Sequence, residues 1–103
     1  MFIYSVRVTI EKEIEKDWSE WMNDVHINDV LQTGYFTGAE FQKLIIPNNS
    51  ENESTYQINY LFDTMDLYQK YQETEAQRLQ KDHSEKFSNK FKISRTVYQV
   101  ISK

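Results

Sequence analysis

Residues 2–10 read FIYSVRVTI, and residues 55–62 read TYQINYLF. In both stretches large apolar or aromatic side chains recur at every second position, the spacing at which side chains of a β-strand share one face of a sheet. The repeating faces are Phe2, Tyr4, Val6, Val8 and Ile10 in the first stretch and Tyr56, Ile58, Tyr60 and Phe62 in the second. The sequence therefore predicts two strands with one strongly apolar face each.

A helix is predicted after the first strand, and its pattern changes at His26. Trp18, Trp21, Met22 and Val25 fall at helical spacing, whereas Ile27, Val30 and Leu31 lie about half a turn away from them on an ideal helix. We expect the helix to kink or restart at His26, with Asn28 as the cap of a short final turn. Gly34 is placed to end that turn in a left-handed conformation.

The second half of the chain repeats this order of elements. Residues 35–46 predict a second strand closed by Pro47, and the polar residues 48–54 predict a surface hairpin loop and the best candidate for disorder. Asp63 or Thr64 can cap a second helix, with a second kink within residues 72–75. Residues 91–101 predict the last strand.

The order βαββαβ with two right-handed crossovers predicts an α+β, ferredoxin-like fold in a single domain, residues 1–103. Its four-stranded antiparallel sheet carries helices on one face only. The other face mixes apolar and polar groups, namely Ile3, Ser5, Arg7, Thr9, Gln57, Asn59, Leu61, Thr96, Tyr98 and Val100. Because such a patch is large for a small monomer, we expect a homodimer in which two sheets pack face to face as a barrel and enclose a cavity.

Composition excludes several functional classes. Only 2 Gly, 1 Pro and no Cys are present, so glycine-rich phosphate loops, disulfides and thiolate metal sites are ruled out. No spacing of His or carboxylate residues is typical of a metal site, and we expect no cofactor. Without a secretory leader or a long apolar stretch, the chain is expected to be soluble and cytoplasmic, with no membrane contact.

The net charge of −4 argues against nucleic acid as a partner. The charge is unevenly distributed, since residues 1–77 carry 5 basic and 14 acidic side chains and residues 78–103 carry 7 basic and 2 acidic ones. Two interpretations follow: complementary surfaces that pair within the chain or across a dimer, or a local anion site near the last strand.

Two segments resemble a known bacterial family. Residues 21–36, WMNDVHINDVLQTGYF, and the C-terminal Arg78-Leu79, Phe87, Phe91 and Arg95-Thr96 are similar to domain of unknown function 4286. A Pro often stands in that family where this chain has Asn28, which implies a helix break there. The family is similar in fold to the dimeric α/β-barrel superfamily, which includes cofactor-independent monooxygenases and haem-degrading enzymes. The resemblance thus implies a fold and leaves the activity open.

Six residues are candidates for a site. His26 is the candidate general base, because it lies where the helix changes phase and an imidazole titrates near neutral pH; the alternative is a helix-end histidine bonded to local carbonyls. Arg95 and Arg7 lie within strands, where a guanidinium binds either an anionic ligand or a structural carboxylate. Arg78 joins them through the family resemblance. Tyr60 and Tyr98 could orient a ligand through their hydroxyl groups, or simply pack as aromatic residues do.

His83 is the only helix histidine placed where the haem-degrading relatives carry theirs, and a packed core histidine is the alternative. The asparagine and tryptophan that accompany haem in those relatives have no counterparts here, so haem is not expected.

Two functions remain open from the sequence. One is a non-catalytic dimer that binds a small anionic or aromatic molecule between its sheets; the other is a cofactor-independent monooxygenase or isomerase acting in the same cavity. An interaction module that uses the 48–54 loop has no support beyond exposure.

Overall fold

The fold is a four-stranded antiparallel sheet with helices on one face. The structure is a computed structural model that describes residues 1–102. The strands are β1 (Phe2–Glu11), β2 (Gly38–Lys43), β3 (Glu53–Phe62) and β4 (Phe91–Gln99), and the helices are α1 (Glu15–Trp21), α2 (Ile27–Gln32), α3 (Met65–Thr74) and α4 (Ala76–Lys86). The sheet order β2-β3-β1-β4 is that of the predicted ferredoxin-like fold, which is confirmed.

The register of β1 decides which side chains meet the helices. β1 pairs with β3 from Phe2↔Phe62 to Glu11↔Glu53 and with β4 from Phe2↔Gln99 to Ile10↔Phe91. Paired residues lie on the same face of a sheet, so the apolar faces of the three strands combine into one surface. Its most enclosed residues include Val8, Ile10, Ile58 and Phe62, each at most 1% exposed.

The first helical region is continuous through a π-helical turn, Met22–His26. A π turn accommodates one more residue than an α turn, so side chains beyond it are rotated relative to those before it. Trp18 lies before the turn and Met22 at its start, and both are buried. The rotation explains why Ile27 and Val30, after the turn, are buried as well. Val25, expected to lie on the buried stripe, is 41% exposed instead.

The predicted phase change at His26 is thus confirmed, but the predicted cap at Asn28 is wrong. Residue 28 lies inside a helix, and its side-chain amide donates to the carbonyl oxygen of Asp24, one turn back, over 3.1 Å. A cap would require the side chain to accept from free backbone N–H groups, and a continuous helix leaves none there. Gly34 ends α2 with φ +84°, the left-handed conformation expected of it.

The second helical region also matches its predicted outline. The Thr64 side chain accepts from the Leu67 backbone N–H and caps α3. The helix axis is interrupted at Glu75, where φ −124° and ψ −34° depart from helical values and α4 begins. The kink expected within residues 72–75 is therefore present.

The β2 region is shorter than predicted. β2 covers only Gly38–Lys43 of the expected 35–46, and β3 begins at Glu53, inside the expected 48–54 loop. Ser54 is accordingly 1% exposed in β3 instead of lying on a surface loop. Asn49 shapes the connection, since its amide nitrogen donates to the Leu44 carbonyl and its amide oxygen accepts from the Thr55 backbone N–H. The last strand ends at residue 99, two residues earlier than expected.

Glu15, at the start of α1, ties the first helix to the sheet. Its carboxylate accepts from the Ser54 hydroxyl at 3.0 Å and from the Tyr56 hydroxyl at 2.7 Å, and Lys43 Nζ lies 2.9 Å from it. Partial burial raises the carboxyl pKa, but the three donors outweigh it and hold the pKa below its ordinary value. Burial, and to a smaller extent the contact with Glu15, raises the pKa of the Tyr56 hydroxyl.

We predict that Glu15→Gln lowers the free energy of unfolding by about 1–3 kcal/mol, because hydrogen bonds to a charged group are lost while Ser54 stays buried. Glu13→Gln is the matched control, since Glu13 pairs with Lys90 at an exposed position where water and salt screen the ion pair and leave it little effect on stability. Urea denaturation at pH 7 measures both. Equal losses in the two variants would contradict the role given to Glu15.

Candidate functional site

A small cavity lies between the helices and the sheet, beside the edge strand β4. Its volume is about 30 Å³, enough for one or two water molecules. The polar residues of its lining are Tyr4, His26, Tyr60, Tyr71, Gln80, His83 and Arg95, and the apolar ones are Val6, Val8, Met22, Val30, Ile58, Leu79 and Ile93. Because Arg95 is exposed and Gln80 is half-buried, the cavity opens towards solvent between α4 and β4.

His83 occupies the helix side of this cavity. The indole Nε1 of Trp18 donates to His83 Nε2 over 2.9 Å, and both side chains are buried, at 0% and 4% exposure. Burial, the neighbouring His26 and the positive charge of Arg95 together lower the pKa of His83 to about 4. The imidazole is therefore neutral at physiological pH.

His26 lies next to His83, with 5.9 Å between their ring centroids, and stacks on Trp21 at 4.9 Å. Burial lowers the pKa of His26, the carboxylates of Asp29 and Asp82 oppose the shift, and Arg95 adds to it. Its Nδ1 is enclosed and has no hydrogen-bond partner among residues 1–102. The alternative of a histidine satisfied by local carbonyls therefore does not hold for this nitrogen.

Three tyrosines face the histidines across the cavity. Tyr4 stacks with Tyr60 at 5.9 Å and meets Tyr71 at 6.1 Å, measured between ring centroids. Burial raises the pKa of all three hydroxyls, and at Tyr4 the positive charge of Arg95 partly opposes it. All three therefore keep their protons at neutral pH and can donate hydrogen bonds.

Among residues 1–102, Arg95 carries the only formal charge in the lining, because no Asp, Glu or Lys side chain of this range contributes to it. Within residues 1–102 no carboxylate lies within 4.0 Å of its guanidinium. Four other basic groups of the C-terminal segment, Arg78, Lys81, Lys90 and Lys92, do have a carboxylate within this distance. Lys90 pairs with Glu11 and Glu13, and Lys92 lies 3.7 Å from Glu53. Part of the basic charge of this segment is thus paired within the chain, whereas Arg95 has no such partner among residues 1–102, and the anion site near the last strand stays a prediction.

The predicted site residues fall into three groups. His26, Tyr60 and Arg95 line the cavity. Arg7 and Tyr98 lie on the opposite face of the sheet, where Arg7 donates to Gln57 at 3.3 Å and Tyr98 is 56% exposed. Arg78 is on the surface of α4 in an ion pair with Glu75. These six residues do not form one site, and their roles in binding stay predictions.

The sequence did not single out two lining residues, Tyr4 and Gln80, nor the hydrogen bond that His83 accepts from Trp18. Tyr4 belongs to the apolar face of β1, and only its hydroxyl distinguishes it from a core ring. The sequence did indicate that Arg95 faces the interior, since alternation places it on the helix-facing side of β4 with Ile93 and Val97. It is nevertheless more exposed than the sequence suggested, because β4 is an edge strand.

Haem, which the resembling enzymes suggest, does not fit this cavity. A haem axial ligand is an imidazole nitrogen lone pair, and the Nε2 lone pair of His83 is already engaged by Trp18. The cavity is also far smaller than a porphyrin. No group of three His, Asp or Glu side chains within residues 1–102 is arranged to hold a metal ion.

The architecture is that of a ferredoxin-like α+β domain, and solved structures with the same fold are known. The chain belongs to the family described as Domain of unknown function (DUF4286), which it matches over residues 1–101. A search of curated proteins finds no match. No helix in the described part of the chain is long and apolar enough to cross a membrane.

Solved structures share the fold at low sequence identity. A dimeric ferredoxin-like protein from an uncultured marine organism is 18% identical with a TM-score of 0.65, and 100% of this chain and 97% of that chain are covered. A protein of the ethyl tert-butyl ether (EthD) family from Bacillus halodurans is 12% identical with a TM-score of 0.66 over 98% and 100% of the two chains. HapK from Hahella chejuensis is 9% identical with a TM-score of 0.65 over 100% and 96%.

We predict that lowering the pH from 6.5 towards 4 destabilises the protein. In this window the unfolded chain, with a histidine pKa of 6.5, binds a proton that the buried His83 does not accept. The free energy of unfolding should therefore fall by up to about 1.4 kcal/mol per pH unit for this group, and His26 adds to the loss. Urea denaturation at pH 7, 6, 5 and 4.5 measures it.

His83→Gln is the control for this pH dependence, because glutamine does not titrate and its amide oxygen can still accept from Trp18. The slope should be shallower in this variant. A wild-type protein equally stable at pH 7 and pH 4.5 would contradict the low pKa of His83.

Proposed function

We propose that this protein binds a small organic anion, with a carboxylate or enolate oxygen, in the cavity between its helices and its sheet. The observation that supports this most directly is Arg95, a guanidinium at a cavity with no acidic residue in its lining. Such a group binds carboxylates through charge-assisted, often bidentate hydrogen bonds. The tyrosine hydroxyls supply neutral donors beside it.

The size of the cavity limits the ligand. About 30 Å³ is well below the hundreds of Å³ typical of sites for drug-sized molecules. Arg95 and Gln80 border the opening with long side chains that can change rotamer, so the ligand we propose has a small anionic head inside and any larger part outside. A second, more open cleft of about 450 Å³ beside Arg7 lies on the outer face and is the other place for a ligand.

We infer that two copies of the chain pair through the outer sheet face. The register aligns Leu61, Ile3 and Tyr98 in one row across three strands of that face. Ile45 and Ile46, 66% and 85% exposed, follow the far end of β2 and form a separate apolar area beside Arg7. The cavity with Arg95 would then lie away from the interface, whereas the cleft beside Arg7 would lie near it and correspond to the cavity predicted between the sheets.

A second candidate function is proton abstraction from the bound molecule, as in a cofactor-independent monooxygenase or an isomerase. His26 favours it, because a neutral imidazole can act as a general base and its Nδ1 has no protein partner among residues 1–102. Oxygen uptake with a quinol substrate would distinguish turnover from binding alone.

We predict that acetate binds and that acetamide, of nearly the same shape but uncharged, binds at least tenfold more weakly. Arg95→Gln should weaken acetate binding about tenfold or more, since the charge-assisted hydrogen bonds are lost. Titrations followed by two-dimensional NMR measure both affinities and show which residues respond. Benzoate and benzamide, run in parallel, test whether the opening admits a ring.

Arg7→Gln and Arg78→Gln are the matched controls for this experiment, because each removes one guanidinium outside the cavity. Both should bind acetate within about twofold of the wild type. If Arg7→Gln alone weakened binding, the ligand would lie on the outer face and the helix–sheet site would be refuted. Absence of binding by all four probes would refute the proposed function.

We predict that the protein is a dimer at micromolar concentration and that Tyr98→Lys makes it a monomer. A lysine at this exposed position leaves the fold intact but brings like charges together across a two-fold interface. Gln77→Lys, which adds the same charge on α4, should stay dimeric. Sedimentation velocity measures all three proteins, and a monomeric wild type would contradict the pairing.

A further inference from the structure

The hydrogen bond from Trp18 determines which nitrogen of His83 carries the proton. An indole Nε1–H can only donate, so the His83 Nε2 that it contacts at 2.9 Å must present a lone pair. A neutral imidazole has one protonated nitrogen, and the proton must therefore be on Nδ1. Because both partners are at least 96% buried, no water competes for this contact from bulk solvent.

The remaining nitrogen of His83 is the one available to a ligand. The ring lines the cavity, its Nε2 is engaged by Trp18, and no protein group within residues 1–102 hydrogen-bonds to Nδ1. With a pKa of about 4, the ring stays neutral at pH 7, so Nδ1–H is a donor without a net charge. His83 thus offers the cavity a donor and no acceptor.

We propose that Trp18 is a positioning residue, which fixes His83 in the Nδ1–H tautomer so that this group donates to an oxygen of the bound anion. The inference rests on the proposed function and deepens it. Together with Arg95 and the tyrosine hydroxyls, a fixed donor makes a site for oxygens that only accept hydrogen bonds. An ionised carboxylate or enolate is favoured there, and an amide or a protonated acid is disfavoured.

The two imidazoles consequently have different properties. His26 stacks on Trp21 with an interplanar angle of 26°, a contact through ring faces that leaves its tautomer unrestricted. Trp21 also approaches His83, at 6.0 Å between centroids, but makes no hydrogen bond to it within the described chain. Trp21 is therefore an internal comparison for Trp18, since both are indoles near His83 and only one donates to it.

The test is the protonation state of the imidazole nitrogens, measured by long-range proton–nitrogen NMR on histidine-labelled protein at pH 7. The chain has only two His and two Trp, so single variants suffice for assignment. In the wild type without ligand, we expect His83 Nδ1 protonated and Nε2 unprotonated. Trp18→Phe should release this preference and give a mixture of tautomers, whereas Trp21→Phe should leave the His83 signals unchanged.

Titration with acetate tests whether the tautomer of His83 affects ligand binding. Trp18→Phe should weaken acetate binding several-fold, and Trp21→Phe should stay within about twofold of the wild type. If Trp18→Phe fails to fold, two measurements on the wild type still test the role of Trp18. These are the tautomer of His83 and the hydrogen exchange of the Trp18 indole N–H, which should be slower than that of Trp21. A protonated Nε2, a charged His83 ring or fast exchange at Trp18 would overturn the inference.

The two proposals fail in different ways. A protonated His83 Nε2 with intact acetate binding would refute the role of Trp18 and leave the site in place. The Nδ1–H tautomer without binding of acetate or benzoate would refute the proposed function, and with it the use of His83 as a ligand donor.

Discussion

The buried hydrogen bond between Trp18 and His83 joins the two helical regions over the sheet. Its partners are 65 residues apart in the chain, and each would leave an unsatisfied polar atom in the core without the other. An unmade hydrogen bond of this kind costs about 1–3 kcal/mol, which is a large part of the stability of a small domain. The contact therefore couples the positions of α1 and α4 and places the rings that line the cavity.

The cavity beside β4 is lined in part by aromatic and imidazole rings. Tyr4 contacts Tyr60 and Tyr71, His26 contacts His83, and all five side chains line the cavity together with Arg95. Buried hydroxyls and imidazoles need partners, and a small space that holds water or an anion can supply them. The polar interior is thus compatible with a stable fold and forms a site at the same time.

The π turn also contributes to both fold and site. By shifting the helical phase between Trp18 and Val30, it keeps two successive apolar stripes on the same sheet and leaves His26 at its end. Without the shift, either the first stripe or the second would face solvent. π turns are frequent at functional sites, and here the turn brings His26 close to the ring of His83.

The sequence alone determined the order of elements, the apolar faces of β1 and β3, the break near residue 75 and the phase change at His26. These depend on local periodicity and turn chemistry, which a single chain displays directly. Strand alternation also separated Tyr60 from Arg7 and Tyr98. The sequence could not show that Arg95, Tyr60 and His26 line one cavity, because which side chains share a cavity depends on strand register and sheet order. Nor could it pair Trp18 with His83, since only the folded chain brings residues 65 positions apart within hydrogen-bond distance.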